Sequence, residues 1–134
     1  MRLHGRGVLI QGASGTGKSF LAAELIRRGA WLVGDDMVGL ERRDDQLLAH
    51  RPAAIGGHLE IRHGGLVVVP SLACTKVHLI VILTADVTIE RLPSPVSTGI
   101  LGVVLPLIHI APDAVARAGT LVWASLARLV REVP

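Results

Sequence analysis

The sequence predicts an α/β domain. Three observations carry this: a short β-prone run at residues 7–11 meets a glycine-rich stretch and then a helically spaced segment from Lys18; further short β-prone runs fill the middle of the chain; and residues 113–132 close it with helical spacing. At 134 residues the chain is close to the ~150 typical of one domain, so a single unit, 1–134, is expected. With 50% hydrophobic and 19% charged residues, it has ample apolar surface for a core, which excludes a disordered tail.

Residues 7–11 are too short and too β-branched for a helix, and read as a buried strand. From Lys18 onward Phe20, Leu21, Ala23, Leu25 and Ile26 recur at helical spacing, Glu24 and Arg28 are expected to pair at i,i+4, and Gly29 supplies a stop. Residues 30–34 are predicted as a second buried strand that delivers Asp35 and Asp36 at its end and completes a βαβ-like unit. Residues 38–41 and 47–50 flank the polar stretch Arg42-Arg43-Asp44-Asp45-Gln46 as a hairpin. In 59–62 apolar and polar residues alternate, so Glu60 and Arg62 share a face, together with His58. Residues 66–69 and 77–83 are strongly β-prone and expected to be central. Pro93, Pro95 and Gly99 mark an open loop before an apolar strand at 103–110. In the C-terminal helix Asp113 is the N-cap candidate, with Val115, Leu121, Val122, Leu126 and Leu129 facing inward.

The longest low-polarity stretch, 100–111, is interrupted by Pro106 and His109 and falls short of the ~18 to 20 residues that span a bilayer, so no membrane partner is expected. The N-terminus shows no apolar leader region, which makes the cytoplasm the default compartment. The single cysteine, Cys74, cannot form an internal disulfide and is expected to be a small buried hydrophobe. The net charge of +3 comes from scattered arginine pairs, and one Phe, two Trp and no Tyr leave little stacking surface. Nucleic acid is therefore not the expected partner; an anionic nucleotide or an acidic protein suits the charge equally well. His50, His58 and His63 match no metal-ligand spacing.

Gly12-Ala13-Ser14-Gly15-Thr16-Gly17-Lys18-Ser19 matches G-x-x-x-x-G-K-[ST] at every fixed position and sits between a predicted strand and a predicted helix, as that motif requires. Glycines at both ends let the backbone wrap a phosphate with inward N–H groups, and the helix adds the positive end of its dipole. Lys18 would bridge the outer phosphates of a nucleotide, and the Ser19 hydroxyl would ligate Mg²⁺. The bland alternative is a chance glycine-rich turn. A dinucleotide loop is a poor match because the third glycine of G-x-G-x-x-G is missing.

Asp35 and Asp36, at the end of the strand after that helix, can lie beside a bound metal and the transferred phosphate. Adjacent strand residues point to opposite sides, so one carboxylate can reach Mg²⁺ while the other faces an incoming hydroxyl as a general base. The competing reading is a polar turn. Glu60 and Arg62 can supply a metal contact and a phosphate or interface contact, or simply form a surface ion pair.

Residues 7–10, the loop ending Gly17-Lys18-Ser19, the helix end Glu24-Leu25-Ile26-Arg27-Arg28-Gly29, Val33-Gly34-Asp35-Asp36 and Leu59-Glu60-Ile61-Arg62 together resemble the catalytic domain of HPr kinase/phosphorylase. Glu90-Arg91-Leu92-Pro93 and Val104-Leu105-Pro106-Leu107 resemble its short alphaproteobacterial form. The resemblance implies a phosphoenolpyruvate-carboxykinase-like P-loop kinase fold with a mixed β-sheet. It further implies transfer of the ATP γ-phosphoryl group to a serine of the phosphocarrier protein HPr, with reverse phosphorolysis left open, and a ring-shaped homo-oligomer, commonly a hexamer. By the same resemblance Asp36 is the acid/base for the serine proton, Asp35 a metal-side carboxylate and Glu60 a Mg²⁺-associated residue, with Ser19 the direct ligand and Lys18 on the phosphates. The family pattern continues Glu-x-Arg with Gly-Leu-Gly, where this chain has His63-Gly64-Gly65, and long members carry an arginine where it reads Ser97-Thr98-Gly99. An upstream histidine of the family has no counterpart here either. These departures keep a second reading alive, a nucleotide-binding sensor or degenerate paralogue with little transfer activity. A third is a small-molecule kinase, since the loop does not define the acceptor.

Overall fold

A computed structural model of the chain describes residues 1–13, 16–35, 38–52, 57–61, 64–84, 96–111 and 115–132. The elements run β1 (Arg2–Leu3), β2 (Arg6–Gly12), α1 (Lys18–Arg27), β3 (Gly39–Arg43), β4 (Gln46–His50), β5 (His58–Ile61), β6 (Gly65–Val68), β7 (Cys74–Leu83), β8 (Val96–Ile100), β9 (Val103–Ile110) and α2 (Val115–Glu132).

Strand β7 organises the sheet. Val77, Leu79, Ile80, Val81 and Leu83 are each at most 1% exposed, so this strand is covered on both faces, which explains its nearly unbroken apolar run. Along one edge it pairs in parallel with β2, ending at Gly12↔Leu83. Its other edge is shared: residues 74–76 pair antiparallel with β4, and residues 80–83 pair in parallel with β9. β1, β3 and β8 extend β2, β4 and β9 antiparallel, giving a mixed seven-stranded sheet. β5 and β6 form a separate two-stranded sheet.

Side-chain alternation divides the core into two layers. On one face Val8, Leu79, Val81 and Leu83 pack with Leu21 and Leu25 of α1, Val122 and Leu126 of α2, and Leu59 of β5. On the other, Leu9, Val77 and Ile80 pack with Leu47 of β4 and Val103 and Leu105 of β9. Burying side chains of this size contributes roughly 1.5–3 kcal/mol each. α1 ends in a Schellman motif, with the Gly29 N–H on the Ile26 carbonyl and the Ala30 N–H on the Leu25 carbonyl, both at 2.9 Å.

Several expectations need correction. Residues 30–34 do not form a strand. Trp31 and Leu32 make isolated bridges to Arg2 and Ser71, and the parallel neighbour of β2 is β7, so there is no simple βαβ unit. The run at 66–69 is peripheral: β6 lies outside the main sheet, with Leu66 72% and Val68 76% exposed. Ser97, Thr98 and Gly99 lie in β8, paired with β9, not in an open loop. Leu121 is largely exposed, because the inward stripe of α2 is Ala118, Val122, Leu126 and Leu129, each about one turn from the next. Glu24 pairs with Arg27 at 3.3 Å instead of Arg28, whose guanidinium donates to Thr120 Oγ1 at 3.0 Å and ties α1 to α2. The expected hairpin forms, but its loop is shorter: Arg42, Arg43 and Gln46 are strand residues, paired as Arg42↔Leu47 and Arg43↔Gln46, which leaves Asp44 and Asp45 as the turn. Asp113, Glu90, Arg91, Pro93 and Pro95 lie outside the described residues, as do the side chains of Val96, Val115 and Ala116. Among the described residues no helix is long and apolar enough to cross a membrane.

Candidate active site

The parallel strands finish in one row. Gly12 is opposite Leu83, and Leu83 is opposite Ile110, whose carbonyl accepts the Thr84 N–H at 3.1 Å. The carboxyl ends of parallel strands are where open α/β sheets form their ligand crevices. The loop from Gly12 to Ser19 leaves this row. A β-carbon on Gly12 would lie 2.6 Å from Thr16 Oγ1 and 2.9 Å from the Leu83 carbonyl oxygen, so only glycine lets the loop turn this close to β7.

Beyond it, Thr16 fastens the loop by donating its hydroxyl to the Ala13 carbonyl at 2.6 Å, with a longer N–H bond of 3.3 Å to the same oxygen. Gly17 caps α1 at φ 97°, a conformation that disfavours any residue with a side chain, and its carbonyl accepts the Leu21 N–H at 2.9 Å. No side chain caps this helix and its first turn holds no acidic residue, so the N–H groups there keep their capacity for an anion. Lys18 and Ser19 are the first two helical residues and are half-buried. Ser14 and Gly15 lie outside the described residues.

The acidic side is built separately. Leu32 donates to the Pro70 carbonyl and accepts from the Leu72 N–H, both at 2.8 Å, which aligns the segment leading to Asp35 with the segment after β6. Asp35 Oδ2 then accepts the backbone N–H of Glu60 at 3.1 Å. β5 in turn lies against α1, with Leu59 buried in the same core layer as Leu21 and Leu25. The structure thus brings Asp35 and Glu60 together on an element packed on the helix that begins with Lys18 and Ser19. The Glu60 side chain is exposed, on the same face as His58 and opposite Leu66. Asp36, Arg62 and His63 lie outside the described residues.

Among the described residues no group of three or more His, Cys, Asp or Glu side chains gathers as a metal cage. Mg²⁺ needs no such cage, since it is commonly held by one or two carboxylates together with phosphate oxygens. Ser19, at the head of α1, and Asp35 and Glu60, joined through β5, carry oxygen donors chemically suited to that ion.

A model of the HPr serine kinase C-terminal domain matches residues 1–111. The chain belongs to this family. In the HPr serine kinase family it is similar to the HPr kinase/phosphorylase of Clostridium tetani, at 46% identity over 70 residues, or 52% of this chain and 23% of that protein. It is likewise similar to the HPr kinase/phosphorylase of Streptococcus pyogenes serotype M5, at 49% over 73 residues, covering 54% of this chain and 24% of that protein. The matches therefore span about a quarter of the curated relatives' length. Among solved structures the Hpr(Ser) kinase/phosphatase of Coxiella burnetii superposes with a TM-score of 0.80 at 29% identity, covering 95% of this chain and 92% of that one. The fold is thus the α/β, mixed-sheet architecture of the phosphoenolpyruvate-carboxykinase-like kinases.

Sequence reasoning named the loop and both Asp35 and Glu60, but missed the bond between them. Nothing in a one-dimensional pattern signals that a carboxylate will cap a backbone N–H 25 positions away.

Proposed function

We propose that the chain is a single P-loop kinase domain, an ATP- and Mg²⁺-dependent protein serine kinase whose acceptor is HPr. The observation that carries this reading is the 12–19 loop, which leaves the carboxyl ends of parallel strands for an uncapped helix N-terminus in a chain of the HPr serine kinase family. The names of its relatives support the acceptor. The expected compartment is the cytoplasm, and the expected assembly a homo-oligomer.

In this reading the main chain of residues 12–17 and the first turn of α1 bind the phosphates, with the Lys18 ammonium on the outer ones. Ser19, Asp35 and Glu60 hold Mg²⁺, which when bound neutralises charge on the phosphate oxygens. The Asp36 carboxylate takes the proton of the incoming serine hydroxyl as its oxygen bonds to the γ-phosphorus and ADP departs. Catalysis rests on positioning and charge neutralisation and needs few other groups.

The test is transfer of labelled γ-phosphate from ATP to purified HPr. Mg²⁺-dependent labelling of one serine, lost in Asp36→Asn while nucleotide still binds, is the expected result. Nucleotide binding without transfer would instead favour a sensor. Turnover of a metabolite with no protein acceptor would favour a small-molecule kinase. Phosphorolysis is scored in the same assay by adding inorganic phosphate to the labelled product.

A further inference from the structure

The opposite end of β2 carries a feature that the nucleotide loop does not explain. A cleft of about 180 Å³ opens between the β1–β2 turn and α2, lined by Leu3, His4, Arg6, Trp123, Leu126 and Ala127. It lies six residues from Gly12 along β2, about 20 Å at the ~3.3 Å rise of a strand. Leu3 and Arg6 are directly opposed across β1 and β2, so their side chains share the face that looks onto α2. Leu3 is 1% exposed and forms the floor, while Trp123 keeps 47% of its surface in solvent.

Among the described residues that line this cleft, Arg6 is the one fixed charge. The ion pairs among the described residues include none to Arg2, Arg6 or Lys76. These three cations nevertheless lie close enough to half-buried His78 to add to the effect of burial in lowering its pKa. An arginine with no ion-pair partner among the described residues, at the mouth of an apolar cleft walled by an indole, matches a ligand with a carboxylate at one end and a hydrocarbon body at the other. A cavity of ~150 Å³ accommodates a six-carbon ring, so this one suits a body of about six to eight carbons.

We propose that the cleft between the β1–β2 turn and α2 is a second binding site, for a small amphipathic carboxylate whose chain rests on Leu3, Trp123, Leu126 and Ala127 and whose carboxylate pairs with Arg6. The site is separate from the nucleotide loop and does not depend on the kinase reading.

The test uses Trp31→Phe protein, in which Trp123 is the remaining indole. Octanoate should shift Trp123 emission saturably, and the uncharged 1-octanol should bind at least tenfold more weakly. Arg6→Gln should weaken octanoate at least tenfold and leave octanol unchanged. Ala127→Phe, which fills the cleft from the surface of α2, should abolish both responses with the far-ultraviolet circular dichroism preserved. Absence of a saturable shift, equal binding of octanol and octanoate to the unsubstituted site, or octanoate binding that survives Ala127→Phe would each overturn the proposal. The octanol comparison needs no variant in the cleft, so it decides the matter even if Arg6→Gln fails to fold.

Discussion

Asp35 Oδ2 accepts the backbone N–H of Glu60 at 3.1 Å, joining an acidic segment that belongs to no strand to the inner strand of a two-stranded sheet. A hydrogen bond to a charged acceptor is worth about 1.5–3 kcal/mol. Asp35→Asn keeps an oxygen for the Glu60 N–H and removes only the charge, so its unfolding free energy should fall by about 1 kcal/mol or less. Asp35→Ala loses both and should fall by about 1–3 kcal/mol. Urea denaturation measures the difference, and equal losses in the two variants would deny the bond a structural role.

Gly12 is held by contact on two sides. Gly12→Ala forces a methyl between Thr16 Oγ1 and the Leu83 carbonyl, and should cost about 1–3 kcal/mol of stability along with most nucleotide affinity. Gly99→Ala, with nothing within 4 Å of the added carbon, should stay within about 0.5 kcal/mol of the parent. Chemical denaturation of both variants provides the check.

The ring of His78 occupies a β-bulge. Gly7 pairs with Val77 and Val8 with Leu79, leaving His78 between them, and its Nδ1 accepts the Gly7 N–H at 3.0 Å. Only a neutral ring can accept there. Burial, and then the charges of Lys76, Arg6 and Arg2, hold its pKa below the ordinary 6.5. The unfolded chain therefore binds the proton more readily. Stability from this group is complete above pH 6.5, declines as pH falls below it, and levels off under the folded pKa. His78→Asn, which keeps an acceptor and cannot titrate, should flatten that part of the profile. Melting curves between pH 5 and 8 for both proteins test this, and parallel profiles would contradict it.

Leu59 anchors β5 beneath α1 and is 1% exposed. Leu59→Ala should cost about 2–5 kcal/mol. It should also loosen the Asp35–Glu60 tie, seen as faster amide exchange at Glu60 than in Leu66→Ala, whose side chain is 72% exposed. Equal exchange in the two variants would show that β5 is held without the core.

Much of this was legible because its signals are local. The central strand β7 could be read from an apolar run too long to be left half-covered, α1 from its spacing and Gly29, and the loop from fixed glycine and lysine positions. Burial and pairing of the intermediate segments were not legible. Residues 30–34 are apolar and mostly buried, yet Trp31 and Leu32 find their bridging partners in Arg2 and Ser71, far apart in sequence. β6 has the composition of a core strand and stands in solvent, since no local pattern says which side of a short apolar run is covered. The alternation argument for Asp35 and Asp36 lost its basis with the missing strand, while Asp35 is tied to β5 by the Glu60 N–H.

The central claim is that residues 12–19 cradle the phosphates of a nucleotide, and titration calorimetry of ATP into the folded protein tests it most directly. Saturable binding should appear with Mg²⁺ and weaken at least tenfold, about 1.4 kcal/mol, in Lys18→Ala with its melting temperature maintained. Heat indistinguishable from dilution in the parent protein, or undiminished affinity in Lys18→Ala, would contradict it.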